Sequence, residues 1–412
     1  MISISGVFSI LYGILLLSRI YAIANVYSFP VDSSTIQVMY VGIIILLAFI
    51  KEKKLIIKKQ ITELGIAILI LVGYLFLFGF VFVNPVMAQY TKGMVMRQGL
   101  FLAVVITTAL FARRNHLLLE VITTSFWTVA IVLFVQFITH LEDLAKINLV
   151  TLFDISSRTR TNFGLGHYYF LGMLCSCEII LGAWLAKMGH KPKASFLVMA
   201  LAVIMLLGSA SRNAIFSLIV FALVEIYFHL DKYALKNVYK FLIKLVSGVL
   251  VLLMILFGDA GASVEGMLLL SNRLVLFSVA LPTFFSSGRT WTGLGLASGE
   301  IYGQNLTPYK TYWLDNGYVY TLITTGYIGA CIYLVLIILM LRKFWKMKKN
   351  SPLIGTLACS TFFVYLFTAL FETTLFNGGA LINYLFMPIF LILLGYNTTD
   401  DTLLIGGKKV GE

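Results

Sequence analysis

Residues 268–316, LLLSNRLVLFSVALPTFFSSGRTWTGLGLASGEIYGQNLTPYKTYWLDN, are the one long break in a chain that otherwise reads as one membrane-length apolar run after another. The break carries two arginines, Arg273 and Arg289, a run of glycines, several aromatic residues and the carboxylate of Asp315. Around it, apolar stretches of about 20 residues recur, the length that a hydrocarbon core about 30 Å thick requires. The chain of 412 residues is 60% hydrophobic and 12% charged, whereas soluble domains carry about 25% charged residues. These features predict an all-α polytopic membrane protein. It is read as a single integral domain over 1–412, with a large extracytoplasmic loop at 258–317 and a short cytoplasmic tail at 397–412.

Working outward from the break, the spans fall near 3–23, 35–50, 62–83, 97–112, 117–140, 168–187, 195–209, 213–229, 241–257, 318–341, 353–371 and 378–396, about twelve in all. The large loop then lies between spans nine and ten. No small-residue cleavage site follows the first apolar run, so that run is read as a span and not as a removed signal. Most of the 31 basic residues sit in short loops on the even side: KEKKLIIKK after span two, Arg113-Arg114 after four, and Lys187, Lys191 and Lys193 after six. Lys232, Lys236, Lys240 and Lys244 follow span eight, RKFWKMKK follows ten, and Lys408-Lys409 lie in the tail. Short cytoplasmic loops hold such an excess of Lys and Arg, so both termini are expected in the cytoplasm. The net charge of +13 is then a topology signal and not a nucleic-acid patch.

Cys175, Cys177, Cys331 and Cys359 all fall inside predicted spans, where single thiols act as small packing residues. Their spacing fits no zinc pattern. No glycine-rich phosphate loop, HExxH or DxD with a soluble nucleotide-sugar domain is visible, which argues against an ATP-driven machine and against a nucleotide-sugar enzyme. No cofactor or metal is called for.

The basic residues on the other side are the informative ones: Arg19, Lys92, Arg97, Lys146, Arg158, Arg160, Arg212, Arg273, Arg289 and Lys310. They are mainly arginine, whose planar fork pairs with phosphate oxygens and stays charged when partly buried. Arg19, Lys92, Lys146 and Lys310 are assigned to contact with lipid phosphate or an acidic neighbour. Arg158, Arg160, Arg212 and Arg273 stand at span mouths beside small or glycine residues, which points to a diphosphate at headgroup level.

Three segments carry the candidates. SSRTRTNFGLGHYYFLG, residues 156–172, places Arg158 and Arg160 ahead of His167, which is either a hydrogen-bonding or proton-transfer group or an interfacial residue among tyrosines. GSASRNA, residues 208–214, sets Arg212 at a helix start near membrane depth, where an unpaired charge is costly unless it faces a watery cavity. In the long break, Trp291, Tyr302, Trp313 and Asn316 are candidates to line a sugar cleft, with interfacial anchoring as the alternative for the three aromatic residues. Asp315 is the carboxylate placed to take a proton from a hydroxyl, unless it merely caps the next helix. Glu372 competes for that role. Glu178, inside span six, must be neutral or paired.

The segment RTRTNFGLGHYYFLG resembles the RxxxFGxxHPN stretch of bacterial Wzy-type polysaccharide polymerases, within the O-antigen polymerase and ligase superfamily. SASRNA is similar to that group's SRxA turn, SNRLVLF resembles its SGRxxxW/Y, and LDNGYVYTLITTGYIG resembles its D/H-N-x-Y/F…GxxG motif. The likeness covers roughly residues 155–345. It implies a GT-C-like membrane glycosyltransferase of the bacterial cytoplasmic membrane, with its site facing outward. Such an enzyme joins undecaprenyl-diphosphate-linked oligosaccharide repeat units into capsular, exo- or O-antigen polysaccharide, without metal or sugar nucleotide and with inversion. By position Arg160, Arg212 and Arg273 bind the donor diphosphate, with Arg158 and Arg289 beside them. The HPN element reads His167-Tyr168-Tyr169 here, and Asp315 stands where ligases have His. Implied partners are the lipid-linked glycans, the bilayer, and a chain-length regulator and flippase of the same pathway. A ligase moving the finished glycan, and a flippase for the same lipid, are the alternatives. A flippase should show Gly- or Pro-broken helices in matched halves, and no such halves are visible in the sequence.

Overall fold

The computed structural model describes residues 3–24, 31–51, 63–147, 160–230, 237, 280–306 and 316–396. Among these residues there is no strand. The helices are α1 (Ile4–Ala24), α2 (Ser33–Lys51), α3 (Glu63–Phe76), α4 (Ala88–Arg114), α5 (Leu118–Thr139), α6 (Tyr168–Lys187), α7 (Pro192–Ser209) and α8 (Arg212–His229). After them come α9 (Gly299–Leu306), α10 (Gly317–Asn350), α11 (Pro352–Thr368) and α12 (Leu381–Gly395). Nine of the described helices are long and apolar enough to cross a membrane, while α11 and α12, at 17 and 15 residues, are shorter apolar helices. The protein is thus all-helical with the character of a polytopic membrane protein. The predicted span at 241–257 lies outside the described residues, as do about half of the 258–317 loop and the whole of the 397–412 tail.

A helix that is apolar all round belongs in the middle of a bundle, and α12 is that helix. Each of its residues from Leu381 to Gly395 is buried, and it touches α1, α3, α4, α5, α6 and α10. Next to it, α6 and α7 form a close hairpin in which a side chain at Gly182 would run into Met199. On the other flank α11 lies between α8 and α10. The two ends of the bundle differ chemically. One holds Arg113 against Gly395, the Lys187–Glu225 and Lys343–Glu63 ion pairs, and Lys348 over the Phe228 ring at 4.1 Å. The opposite end gathers Arg19, Arg97, Arg160 and Arg212.

Two of the described helices, α3 and α10, depart from regular geometry. α3 runs into a π-helical turn, Leu77–Val81, closed by the Phe82 amide on the Leu77 carbonyl at 2.7 Å. α10 breaks at Gly326, whose φ of 64° and ψ of −164° only glycine adopts without strain. Such a break strands backbone groups that a membrane interior cannot solvate. Here the 290–295 loop supplies them. The Leu294 and Gly295 amides donate to the Ile323 and Thr324 carbonyls at 2.8 and 3.0 Å. The Tyr327 and Ile328 amides in turn donate to the Thr290 and Trp291 carbonyls at 2.9 and 3.1 Å. Asn84 fastens the same loop through Nδ2 to the Leu294 carbonyl at 2.8 Å. A glycine-broken helix is therefore present although the sequence displays no matched halves. Its counterpart is a loop of the same chain and not a second broken helix.

Candidate functional site

The approach to α6 is a short coil pinned at both ends. The Thr161 amide donates to the Gly208 carbonyl at the end of α7 at 3.0 Å. Phe163, Gly164 and Gly166 all have positive φ, so the chain turns tightly; a side chain at Gly164 would strike His140 and Gln136 at the end of α5. This brings Arg160, His167 and Tyr168 into the lining of a cleft of about 190 Å³, together with Asp143, Lys146 and Asn162. Asp143 and Lys146 belong to a 3-10 turn, Leu141–Lys146, that continues from α5. Arg160 lies over the Tyr168 ring at 4.2 Å, and the His167 and Tyr168 rings are 4.2 Å apart.

His167 caps α6. Its Nδ1 accepts the Tyr169 amide at 3.2 Å, which places the proton of the neutral ring on Nε2. Partial burial and the nearby Arg160 charge both hold its pKa below the usual histidine value. In this state Nε2–H is a donor, and taking a second proton means giving up the cap. The geometry suits His167 to donate to an anion and argues against the proton-accepting role.

Arg212 is the first residue of α8, whose cap position, Ser211, makes no side-chain capping bond. The preceding Ala210 has a φ of 47°, and Gly172 of α6 lets the Ser211 side chain pack against it. The Arg160 charge acts on Arg212. Arg212 thus stands at the N-terminus of a helix, where free amides and the dipole favour anions, within reach of the Arg160 charge. Asp143 moderates the charge: burial raises its pKa, but hydrogen bonds from Lys146 and Thr161 and the Lys146 charge outweigh this and hold it below the usual carboxylate range. The resulting Lys146–Asp143 pair is what the sequence reading of Lys146 allowed, an acidic neighbour.

The other described candidates lie on different elements. Arg289 is half-buried on the loop bound into α10, its amide donating to Ser287 Oγ at 3.1 Å. Trp291 is 67% exposed and meets the Tyr327 ring edge to face at 5.5 Å, so it remains open to a ligand. Tyr302 does not: it is 1% exposed and its hydroxyl donates to the Gly295 carbonyl. It shapes the glycine loop and offers no face to a sugar. Asn316 is also used internally. Its Oδ1 accepts the Tyr318 and Val319 amides at 3.0 and 2.9 Å as the cap of α10, and its Nδ2 donates to the Leu370 carbonyl at 2.8 Å. The capping duty weighed for Asp315 thus belongs to Asn316. Glu372 lies half-buried in the turn between α11 and α12, with its carbonyl against Gly317 at the start of α10. Arg158, Arg273, Trp313 and Asp315 lie outside the described residues.

Glu178 is fully buried in α6, and neither carboxyl oxygen has a hydrogen-bond partner among the described residues. The sequence left two basic residues unvalued that the structure brings forward, Arg19 and Arg97. Arg19, assigned above to lipid contact, is only 6% exposed. The signal available for both was their position on the arginine-bearing side.

No protein-family model matches the chain, and no curated protein matches it. The functional reading therefore rests on the residues and their geometry.

Proposed function

We propose that the protein is a membrane glycosyltransferase of the GT-C type that polymerises undecaprenyl-diphosphate-linked oligosaccharide repeat units on the outer face of a bacterial cytoplasmic membrane. The observation that carries this reading is the meeting of Arg160 and His167 at one cleft, with Arg212, at the start of α8, within reach of the Arg160 charge. Guanidiniums at a span mouth hold a diphosphate through paired hydrogen bonds and stabilise the negative charge that develops on it as it leaves. In the reaction, a hydroxyl oxygen of the incoming lipid-linked unit bonds to the anomeric carbon of the growing chain. The bond from that carbon to the diphosphate oxygen breaks, its electron pair departs on the diphosphate, and the hydroxyl proton passes to a carboxylate. A single displacement of this kind inverts the anomeric centre. Asp315 and Glu372 are the carboxylates for that proton: Glu372 sits beside the start of α10, and Asp315 immediately precedes the α10 cap. His167 serves the diphosphate instead.

A flippase is less well supported. The α10 break, where such a protein exposes backbone to its cargo, is filled by the chain's own loop. The test is to follow lipid-linked units in cells carrying Arg212→Lys. The polymerase reading expects single units to accumulate on the outer face with the protein still in the membrane. Accumulation on the inner face identifies a flippase, and finished polymer on its lipid carrier identifies a ligase.

A further inference from the structure

We propose that Arg19 and Arg97 form a second anion site, separate from the Arg160 cleft, that takes the diphosphate of a lipid headgroup. Arg19 lies about one turn from the end of α1. Its guanidinium carbon stands 4.7 Å over the ring of Tyr384, in the first turn of α12. Nη1 donates to Ser33 Oγ and Nη2 to the Gly378 carbonyl, both at 3.4 Å, the long limit of a hydrogen bond. Nε has no hydrogen-bond partner among the described residues, and the residue is more than nine-tenths buried, at 6% exposure. No carboxylate among the described residues lies within ion-pair distance. Asp32, whose charge reaches Arg19 weakly, spends Oδ2 on the Ser34 and Thr35 amides that begin α2.

Beside it, Arg97 of α4 repels Arg19, and its charge also reaches Tyr384 and Tyr320. Its Nη1 lies 3.4 Å from where a Cβ on Gly379 would stand, so the glycine keeps the guanidinium close to the turn. That turn is held firmly from below. Gln98 donates to the Phe376 carbonyl at 2.7 Å and accepts the Gly378 amide at 2.8 Å, and Asn383 donates to the Thr374 and Asn377 carbonyls. The Tyr384 hydroxyl is likewise fixed, on Gln37 Oε1 at 2.9 Å.

A buried cation without a counter-charge is unfavourable, and a second cation beside it makes matters worse. Stacking on Tyr384 recovers only part of that. An anion between the two guanidiniums removes the repulsion and gives Nε its acceptor. Position and shape select the class of anion: Arg19, near the C-terminus of α1, and Arg97, in the third turn of α4, lie at the same end of the bundle, and their planar forks match phosphate oxygens. No helix is shared with the first site, which is built from α6, α8 and the end of α5, but the turn at 369–380 borders α10 at Glu372 and the Arg19 site at Gly378. Binding of the anion stands without the glycosyl-transfer reading. Assigning it to the acceptor lipid's diphosphate, with the donor held by Arg160 and Arg212, rests on that reading.

The test uses the purified full-length protein in detergent, with inorganic pyrophosphate and then a short-chain polyprenyl diphosphate as probes, read as saturable thermal stabilisation. The Arg160→Gln/Arg212→Gln variant should retain one saturable site for both probes. Adding Arg97→Gln, an exposed position that leaves the buried contacts in place, should weaken that site at least tenfold; Arg19→Gln should do the same if it folds. Unchanged binding in the Arg97→Gln background overturns the proposal. So does stabilisation by phosphatidylglycerol with none by either diphosphate probe, which would mark an ordinary lipid contact. If wild-type protein makes no polymer but binds pyrophosphate through Arg97, the site stands and the proposed function fails. If it makes polymer while Arg97→Gln binds as wild type, the reverse holds.

Discussion

Alanine at Gly326 places a methyl group where the 290–295 loop already runs. Its Cβ would stand 2.5 Å from the Trp291 carbonyl carbon and oxygen and 2.6 Å from the Gly293 nitrogen. These are backbone atoms that cannot rotate away, so the loop must lift. Two contributions add. Holding a side-chain-bearing residue at this φ and ψ costs about 1–3 kcal/mol. Losing the four hydrogen bonds between loop and break costs about 1 kcal/mol each. The sum is about 5–7 kcal/mol when the loop detaches fully. Gly288→Ala is the control, since Gly288 also has a positive φ, 69°, but open space around it; it should cost only about 1–2 kcal/mol. Reversible unfolding in mixed micelles measures both variants, and limited proteolysis at 288–295 reports whether the loop has left α10. A Gly326→Ala protein within about 1 kcal/mol of Gly288→Ala, with the loop still protected, would refute the claim that the loop holds the broken helix.

Lysine at Arg160 or Arg212 keeps the charge but not the fork, so either variant should weaken diphosphate-lipid binding at least tenfold, about 1.4 kcal/mol, measured by equilibrium binding to the solubilised protein. His167 has a folded pKa below its unfolded value of about 6.5, so the unfolded state takes up the proton first as the pH falls. Stability should therefore decline below about pH 6.5 and level off beneath the folded pKa, and His167→Gln should flatten that part of a melting-temperature profile. Tyr302→Phe should lose about 1 kcal/mol of stability and leave KM for the lipid-linked substrate unchanged, because its hydroxyl serves Gly295. Asp143→Asn removes the carboxylate from the cleft and releases Lys146, so pyrophosphate titrations should show tighter binding than wild type.

The spans are legible in the sequence because an apolar run of about 20 residues suits little besides a bilayer crossing; α6, for instance, occupies 168–187, the range its hydropathy predicts. The start of α4 is not. Lys92, Arg97 and Gln98 interrupt the apolar window, and α4 begins at Ala88, nine residues before the expected start, with those polar groups on a helix. Arg160 and Arg212 stand out in the sequence because arginine on the lysine-poor side is unusual in itself. Arg19 shares that signal, but its burial arises from Tyr384 and Gly378, more than 350 residues further along, which no local pattern reveals. Tyr302 and Asn316 mislead for a related reason. Aromatic and amide residues in a polar loop look available until their hydrogen bonds are traced to Gly295 and Leu370. Gly326 sits in a recognisable TTGYIG run, yet the break emerges only once the 290–295 loop is seen to occupy it.

The central claim is best tested with purified protein and defined undecaprenyl-diphosphate-linked repeat units, in the absence of any nucleotide, with products resolved by length. Glycan longer than one repeat, with release of undecaprenyl diphosphate and inverted linkages, is the predicted result, and it should vanish in Arg160→Lys and Arg212→Lys. Units that remain single, or polymer that survives both substitutions, would contradict it.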